Sequence, residues 1–212
     1  MVKRLESVRM IKLNEIKMSF NDEPVLTNVS LELNEADVIH IKGANGSGKS
    51  TLLKIIAELL IPHSGKVEYN QDVNIGALIE NPTFVENETA LFNLKFLANL
   101  KGNYDEKEVT SLLELFGLDP SSRKIMKKYS LGMRQKVGII QAVMENQNVI
   151  LFDEPTRGLD ENSIKVFTDI VEKKRLERKT ILICSHDNIE AINYTRKLVL
   201  KNGQLYPILP QE

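Results

Sequence analysis

The hydrophobic rhythm of the chain changes twice along its length. In the opening third apolar and polar residues alternate: Ile11-Lys12-Leu13, Ile16-Lys17-Met18-Ser19-Phe20 and Val29-Ser30-Leu31-Glu32-Leu33. A period of two puts every second side chain on one face, so these runs predict half-buried strands, with Asn21-Asp22-Glu23-Pro24 as an intervening turn. Short strands are also expected at 37–41, 67–69 and 75–79, and a helix over 50–60, where Leu52, Leu53, Ile55, Ile56, Leu59 and Leu60 fall at helical spacing. From about 89 to 146 the helical period dominates, through Leu91, Leu94 and Ala98, then Val109, Leu112 and Phe116, then Val137, Ile140 and Met144. Gly102 and Gly117 are the expected stops between these helices. Strands then return at 149–152 and 180–184 as almost wholly apolar runs, the pattern of a parallel sheet covered on both faces. Helices over about 161–177 and 187–195 would cover it. Lys197 to Lys201, Asn202-Gly203 and Gln204 to Tyr206 read as a hairpin with Asn-Gly as its turn.

Composition narrows the class. The 212 residues are 42% apolar and 27% charged, with a formal net charge of −1. No field strong enough to gather nucleic acid is present, and Lys127-Lys128 and Lys173-Lys174-Arg175 read as solvated helix faces. No apolar run approaches the ~20 residues that span a bilayer. Met1-Val2-Lys3-Arg4-Leu5-Glu6 lacks the apolar core of a leader peptide. Cys184, the single cysteine, sits in an apolar strand and can form neither a disulfide nor a cysteine metal site. The expectation is a cytosolic α/β protein.

Gly43-Ala44-Asn45-Gly46-Ser47-Gly48-Lys49-Ser50-Thr51 lies between an expected strand and an expected helix. This is the context in which G-x-x-x-x-G-K-[ST] binds phosphate: backbone N–H groups and the helix dipole face the anion, Lys49 reaches the β- and γ-phosphates and the Ser50 hydroxyl holds Mg²⁺. About a hundred residues later Val149-Ile150-Leu151-Phe152-Asp153-Glu154-Pro155 feeds an apolar strand into two acids. Asp153 is placed to serve Mg²⁺ and Glu154 to orient or deprotonate a water attacking the γ-phosphate. Ser130 and Gly132 in Tyr129-Ser130-Leu131-Gly132-Met133 stand at a helix start and offer a second anion site, though a simple cap explains Ser130 equally well. His186 ends the apolar strand Ile181-Leu182-Ile183-Cys184-Ser185, as a site residue or as a cap of the next helix. His40 and His63 have no such context and read as structural.

With these motifs in order, the chain resembles the ATP-binding cassette (ABC) ATPases over about residues 10–206. The resemblance identifies 43–51 with Walker A, 149–154 with Walker B and its glutamate, 129–133 with a degenerate LSGGQ signature, Gly158 to Asp160 with the D-loop and His186 with the switch histidine. It implies one α/β domain over 1–212: a P-loop core with a mostly parallel sheet and an N-terminal antiparallel β subdomain (about 1–81 and 147–212), and an inserted helical subdomain (about 82–146). ATP and Mg²⁺ are the implied ligands. Asn45 to Thr51 would hold the nucleotide, Phe20 would stack on adenine, and Ser130, Gly132 and Asp160 would complete the site, the first two from a second subunit in a head-to-tail dimer or paired cassette. A separate membrane-spanning permease would dock near Pro82-Thr83-Phe84-Val85, keeping the chain peripheral on the inner face of the membrane. The alternatives are a soluble ABC ATPase of translation, repair or iron–sulfur assembly, and an isolated P-loop kinase or GTPase.

Two departures stand out. Glu80 occupies the place of the family's metal-ligating glutamine, a pattern similar to the bacitracin-resistance and lantibiotic-immunity transporters, which expel antimicrobial peptides. It would be a third catalytic and metal-binding residue beside Glu154, His186, Ser50 and Asp153. Leu131 and Met133 replace signature glycine and glutamine, leaving Ser130 and Gly132 to act.

Overall fold

A computed structural model describes residues 8–208 apart from 101 and 103. The opening hexapeptide, expected to lack a leader, lies outside the described residues. Strands β1 (Arg9–Phe20) and β2 (Glu23–Asn34) form a long antiparallel hairpin, and β4 (Ser64–Tyr69) lies on the other side of β1, giving the order β2-β1-β4. The alternating runs build it directly: Ile11, Leu13, Ile16 and Met18 are all buried. The three-residue step from Leu13 to Ile16 breaks strict alternation. A bulge absorbs it, with Glu15 at φ 48° and the register shifting between those positions. The turn is tighter than the expected four residues. Asn21 and Asp22 alone make it, both with positive φ (49° and 65°), as a two-residue hairpin turn requires, and Glu23 and Pro24 already belong to β2. Proline is tolerated there because β2 is an edge strand of this sheet.

The second sheet has six strands in the order β5-β6-β7-β3-β8-β9: β3 (Val38–Lys42), β5 (Ile75–Leu78), β6 (Val149–Asp153), β7 (Thr180–Ser185), β8 (Arg196–Lys201) and β9 (Gln204–Pro207). All neighbours are parallel except the β8–β9 hairpin. The central strands are buried throughout, as their unbroken apolar runs require. Their side chains alternate between two cores. Ile150, Phe152, Ile181 and Ile183 pack with the helices α2 (Ala90–Leu100), α3 (Glu106–Leu115), α4 (Leu131–Val143) and α5 (Glu161–Leu176). Val149, Leu151, Leu182 and Cys184 pack with α1 (Lys49–Ile56) and the antiparallel sheet. The two sheets are tied where Thr27 N–H donates to Gly203 O (2.9 Å), across the Asn202-Gly203 turn.

Two expected helices differ. The one over 50–60 stops at Ile56, because Glu58 turns left-handed (φ 58°) and Leu59 is left exposed. The segment 187–195 is not helical. Its Thr195 is captured by β3: Thr195 N–H donates to Val38 O (2.8 Å) and Val38 N–H to Thr195 Oγ1 (3.0 Å). Tyr194 stacks on His40 at 5.0 Å, so tertiary contacts override the helical pattern. Cys184 is fully buried, and burial pushes its thiol well up.

Candidate active site

A parallel sheet sends the C-terminal ends of its strands to one edge, and four of them deliver the chemistry. The loop after β3 is Gly43 to Gly48, Glu80 follows β5, Asp153 and Glu154 end β6, and His186 follows β7. The strand pairing aligns these exits: Asp153 pairs with Cys184, and Lys42 with Ser185. Of these, Asn45, Gly46, Gly48, Glu80, Asp153 and Glu154 line an open cleft of about 560 Å³.

The start of α1 offers an anion seat. Its N-cap, Gly48, has φ 100° and offers no side-chain cap, and no acid lies in the first turn, so the first N–H groups of the helix are left for a ligand. Only glycine fits at Gly48, since a Cβ there would stand 2.9 Å from Val25 Cγ1 in addition to the strained φ. The hydroxyl of Ser47 is buried without a hydrogen-bond partner in the same loop. Lys49, 6% exposed, donates from Nζ to Gly43 O (2.8 Å) and Ala44 O (3.1 Å) and lies 3.5 Å from Glu154 Oε1. Its ammonium is therefore held over the loop, with Glu154 as a partner on the cleft side.

Asp153 is 5% exposed and accepts from Ser50 Oγ at 2.5 Å. Burial raises its pKa; the Ser50 bond and the Glu80 backbone N–H act in the opposite sense. A buried carboxylate beside a hydroxyl at the mouth of an anion seat suits a hard divalent cation that takes its other oxygens from phosphates. The residues present therefore fit Mg²⁺. Glu80 lines the same cleft, and its carboxylate lies 2.6 Å from Lys54 Nζ. Among the described residues no three His, Cys, Asp or Glu side chains gather closely enough to hold a metal by themselves.

Glu154 stands at φ 47°, which turns its side chain back over the cleft at the end of β6. Its Oε1 accepts from the backbone N–H of His186 (3.1 Å), and His186 Nδ1 lies 2.8 Å from its Oε2. The strand end beneath is fixed by His40, whose Nε2 is 2.8 Å from Ser185 Oγ. Burial, then the charges of Lys197 and Lys42, push the His40 pKa down to about 4. His63 bonds Ser19 Oγ at 3.0 Å, away from the cleft.

Phe20 lies at the hairpin tip, 45% exposed, and lines the cleft with Val25, Asn45, Gly46 and Thr51. Ser130 and Gly132 do not line it. Ser130 caps α4, its Oγ accepting from Met133 N (3.3 Å), and Gly132 packs so tightly that a Cβ would stand 2.4 Å from Gly158 O. Asp160 is also outside the cleft: it caps α5 through Ser163 N (2.8 Å) and Ser163 Oγ (2.7 Å), bonds that hold its pKa down to about 2. Sequence reasoning missed Gln135 and Arg157, which also line the cleft. Gln135 Nε2 donates to Glu154 O (3.0 Å) and Pro155 O (3.1 Å), joining α4 to the glutamate; no pattern in the sequence flags a glutamine in mid-helix.

Known proteins resemble this chain in sequence and in fold. A family model described as ABC transporter matches residues 26–157. The lantibiotic transport ATP-binding protein SrtF of Streptococcus pyogenes is 33% identical over 84% of this chain and 80% of that protein. The bacitracin transport ATP-binding protein BcrA of Enterococcus faecalis is 31% identical over 84% of this chain and 61% of that protein. A solved dimeric structure of a bacterial ABC transporter cassette superposes with a TM-score of 0.79 at 26% identity, covering 95% of this chain and all of that one (100%).

Proposed function

This chain belongs to the ABC transporter family, and from that premise we propose that it is the ATP-hydrolysing subunit of a transporter whose membrane-spanning part is a separate chain. The observation that carries the reading is the convergence of Lys49 and His186 on Glu154 beside a helix start with no cap of its own. The first N–H groups of α1 and Lys49 bind the β- and γ-phosphates, and Phe20 stacks on the base. Ser50 and Asp153 would hold Mg²⁺, which when bound would supply charge neutralisation at the phosphates. Glu154 orients the attacking water and accepts its proton, and His186 fixes the glutamate.

Residues 82–146 act as a helical subdomain on a core made of 1–81 and 147–212. In a dimer, Ser130 and Gly132 of one subunit close over the nucleotide of the other, and Asp160 steadies the loop that accompanies them. The relatives named for lantibiotic and bacitracin transport support a cargo of that class; the same reading has the cargo exported and the protein held at the cytoplasmic face of the membrane by its permease. Among the described residues no helix is long and apolar enough to cross a membrane.

Two measurements test this. Purified protein is expected to release phosphate from ATP with Mg²⁺ and to lose that activity in EDTA and in Lys49→Ala; equal activity of Lys49→Ala rejects the site. Gentle solubilisation of the source membranes is expected to recover the chain with a polytopic protein. Recovery with ribosomes or DNA instead would favour a soluble ABC ATPase.

A further inference from the structure

Three carboxylates face one cleft that is to receive a polyanion: Glu80, Asp153 and Glu154. Each must be quenched, or the triphosphate meets uncompensated negative charge at close range. Asp153 has Ser50 Oγ and the Glu80 N–H, and Glu154 has Lys49 and His186. Among the described residues the Glu80 carboxylate is paired with Lys54, at 2.6 Å. Lys54 lies on α1 one turn beyond Ser50, on the same face of the helix as the hydroxyl that meets Asp153. Glu80 leaves β5 with a left-handed backbone (φ 57°), an uncommon conformation for glutamate, and that turn points its N–H at Asp153 while its carboxylate goes to α1.

The pair is too exposed to serve stability: the side chains are 31% and 56% exposed, and ion pairs of that kind contribute little to folding. Its position gives it another use. We propose that Lys54 is a positioning residue of the nucleotide site, drawing the Glu80 carboxylate onto α1 and cancelling its charge, so that an acid can stand here beside bound phosphates. The inference rests on the cleft being an ATP site and adds a residue that the loop pattern alone does not assign. Without Lys54, Glu80 becomes a free anion at the mouth of the cleft. A divalent cation can offset it, but nucleotide without metal cannot.

The test is a double-mutant cycle read by equilibrium binding of a fluorescent ATP analogue, in EDTA and in excess Mg²⁺. Lys54→Met is expected to weaken metal-free binding roughly three- to tenfold, and binding in Mg²⁺ by less than half of that factor. In a Glu80→Gln background the same substitution is expected to change metal-free binding less than about twofold, and Lys54→Arg is expected to bind like wild type. Melting temperatures check that each variant is folded. An equal loss on Lys54→Met with and without the Glu80→Gln change, or no loss at all, overturns the role given to Lys54. If wild type and Lys49→Ala bind the analogue equally weakly, the ATP-site reading fails instead, a result that Lys54 variants cannot mimic.

Discussion

Two helix starts in this molecule are built from the same residue types and do different things. At the start of α1, glycine takes the N-cap and no side chain returns to the backbone N–H groups. At the start of α4, Ser130 turns its hydroxyl inward and satisfies Met133 N itself. The first end is left open and is surrounded by Lys49, Asp153 and Glu154; the second is closed and stands outside the cleft. An uncapped N-terminus costs stability unless an anion covers it, whereas a capped one is stable alone and can meet an anion only as a second surface. The contrast explains why one chain would carry half of a site. On the proposed reading α1 would seat the nucleotide, and α4, already capped, would meet that of another subunit.

The sharpest way to break this comparison is to stop hydrolysis while leaving the open end intact. Glu154→Gln is expected to lower turnover by about 10²–10⁴-fold and to leave ATP binding in place. Size-exclusion chromatography with ATP should then show a dimer; a monomer at saturating ATP would mean that α4 closes over nothing. Next in size is the support beneath the open end. His40 is neutral in the folded chain down to about pH 4, but its ordinary value is 6.5. The unfolded chain therefore takes up the proton first. Stability is whole above about pH 6.5 and declines as pH falls toward 4, by as much as roughly 3 kcal/mol for this one group. Denaturant midpoints measured across that window should show the decline, and His40→Gln should flatten it.

The closed end breaks more gently. Gly132→Ala drives a Cβ to 2.4 Å from Gly158 O, so α4 or the loop before α5 must shift, at an expected cost of about 1–3 kcal/mol. Thermal unfolding should record it. Ser130→Ala removes the cap and should cost about 0.5–2 kcal/mol. If the melting temperature falls but ATP-dependent dimer formation in the Glu154→Gln background does not, the hydroxyl is a cap and nothing more.

The open end was the legible one, because everything that defines it is local. A strand, three glycines, a lysine and a serine lie within a dozen residues, and Val149 to Glu154 carries its own strand-then-acid pattern. The parallel sheet followed from the unbroken apolar runs. What sequence could not supply came from contacts distant along the chain. Gln135 reaches the glutamate carbonyl only because α4 crosses that strand end, and Lys54 finds Glu80 only because β5 pairs beside β6. Thr195 likewise gives up a helical pattern because β3 offers backbone partners that a helix would forgo. Asp160 reads as a binding residue by motif, yet its carboxylate is already committed to Ser163.

The bond between Thr27 and Gly203 joins positions 176 residues apart and anchors the hairpin that carries Phe20 and Val25. On a ribosome this sets an order of events. The phosphate side of the cleft, from β3 to α1, emerges early. β7 and β8, the neighbours of β3, emerge only after the helices α2 to α5, and the clasp comes later still. A nascent chain paused before residue 203 would hold the phosphate loop but lack the clasp beneath Phe20. Nucleotide capture is thus expected only once residue 203 has emerged, and ATP would then reward only chains whose β8–β9 hairpin has closed.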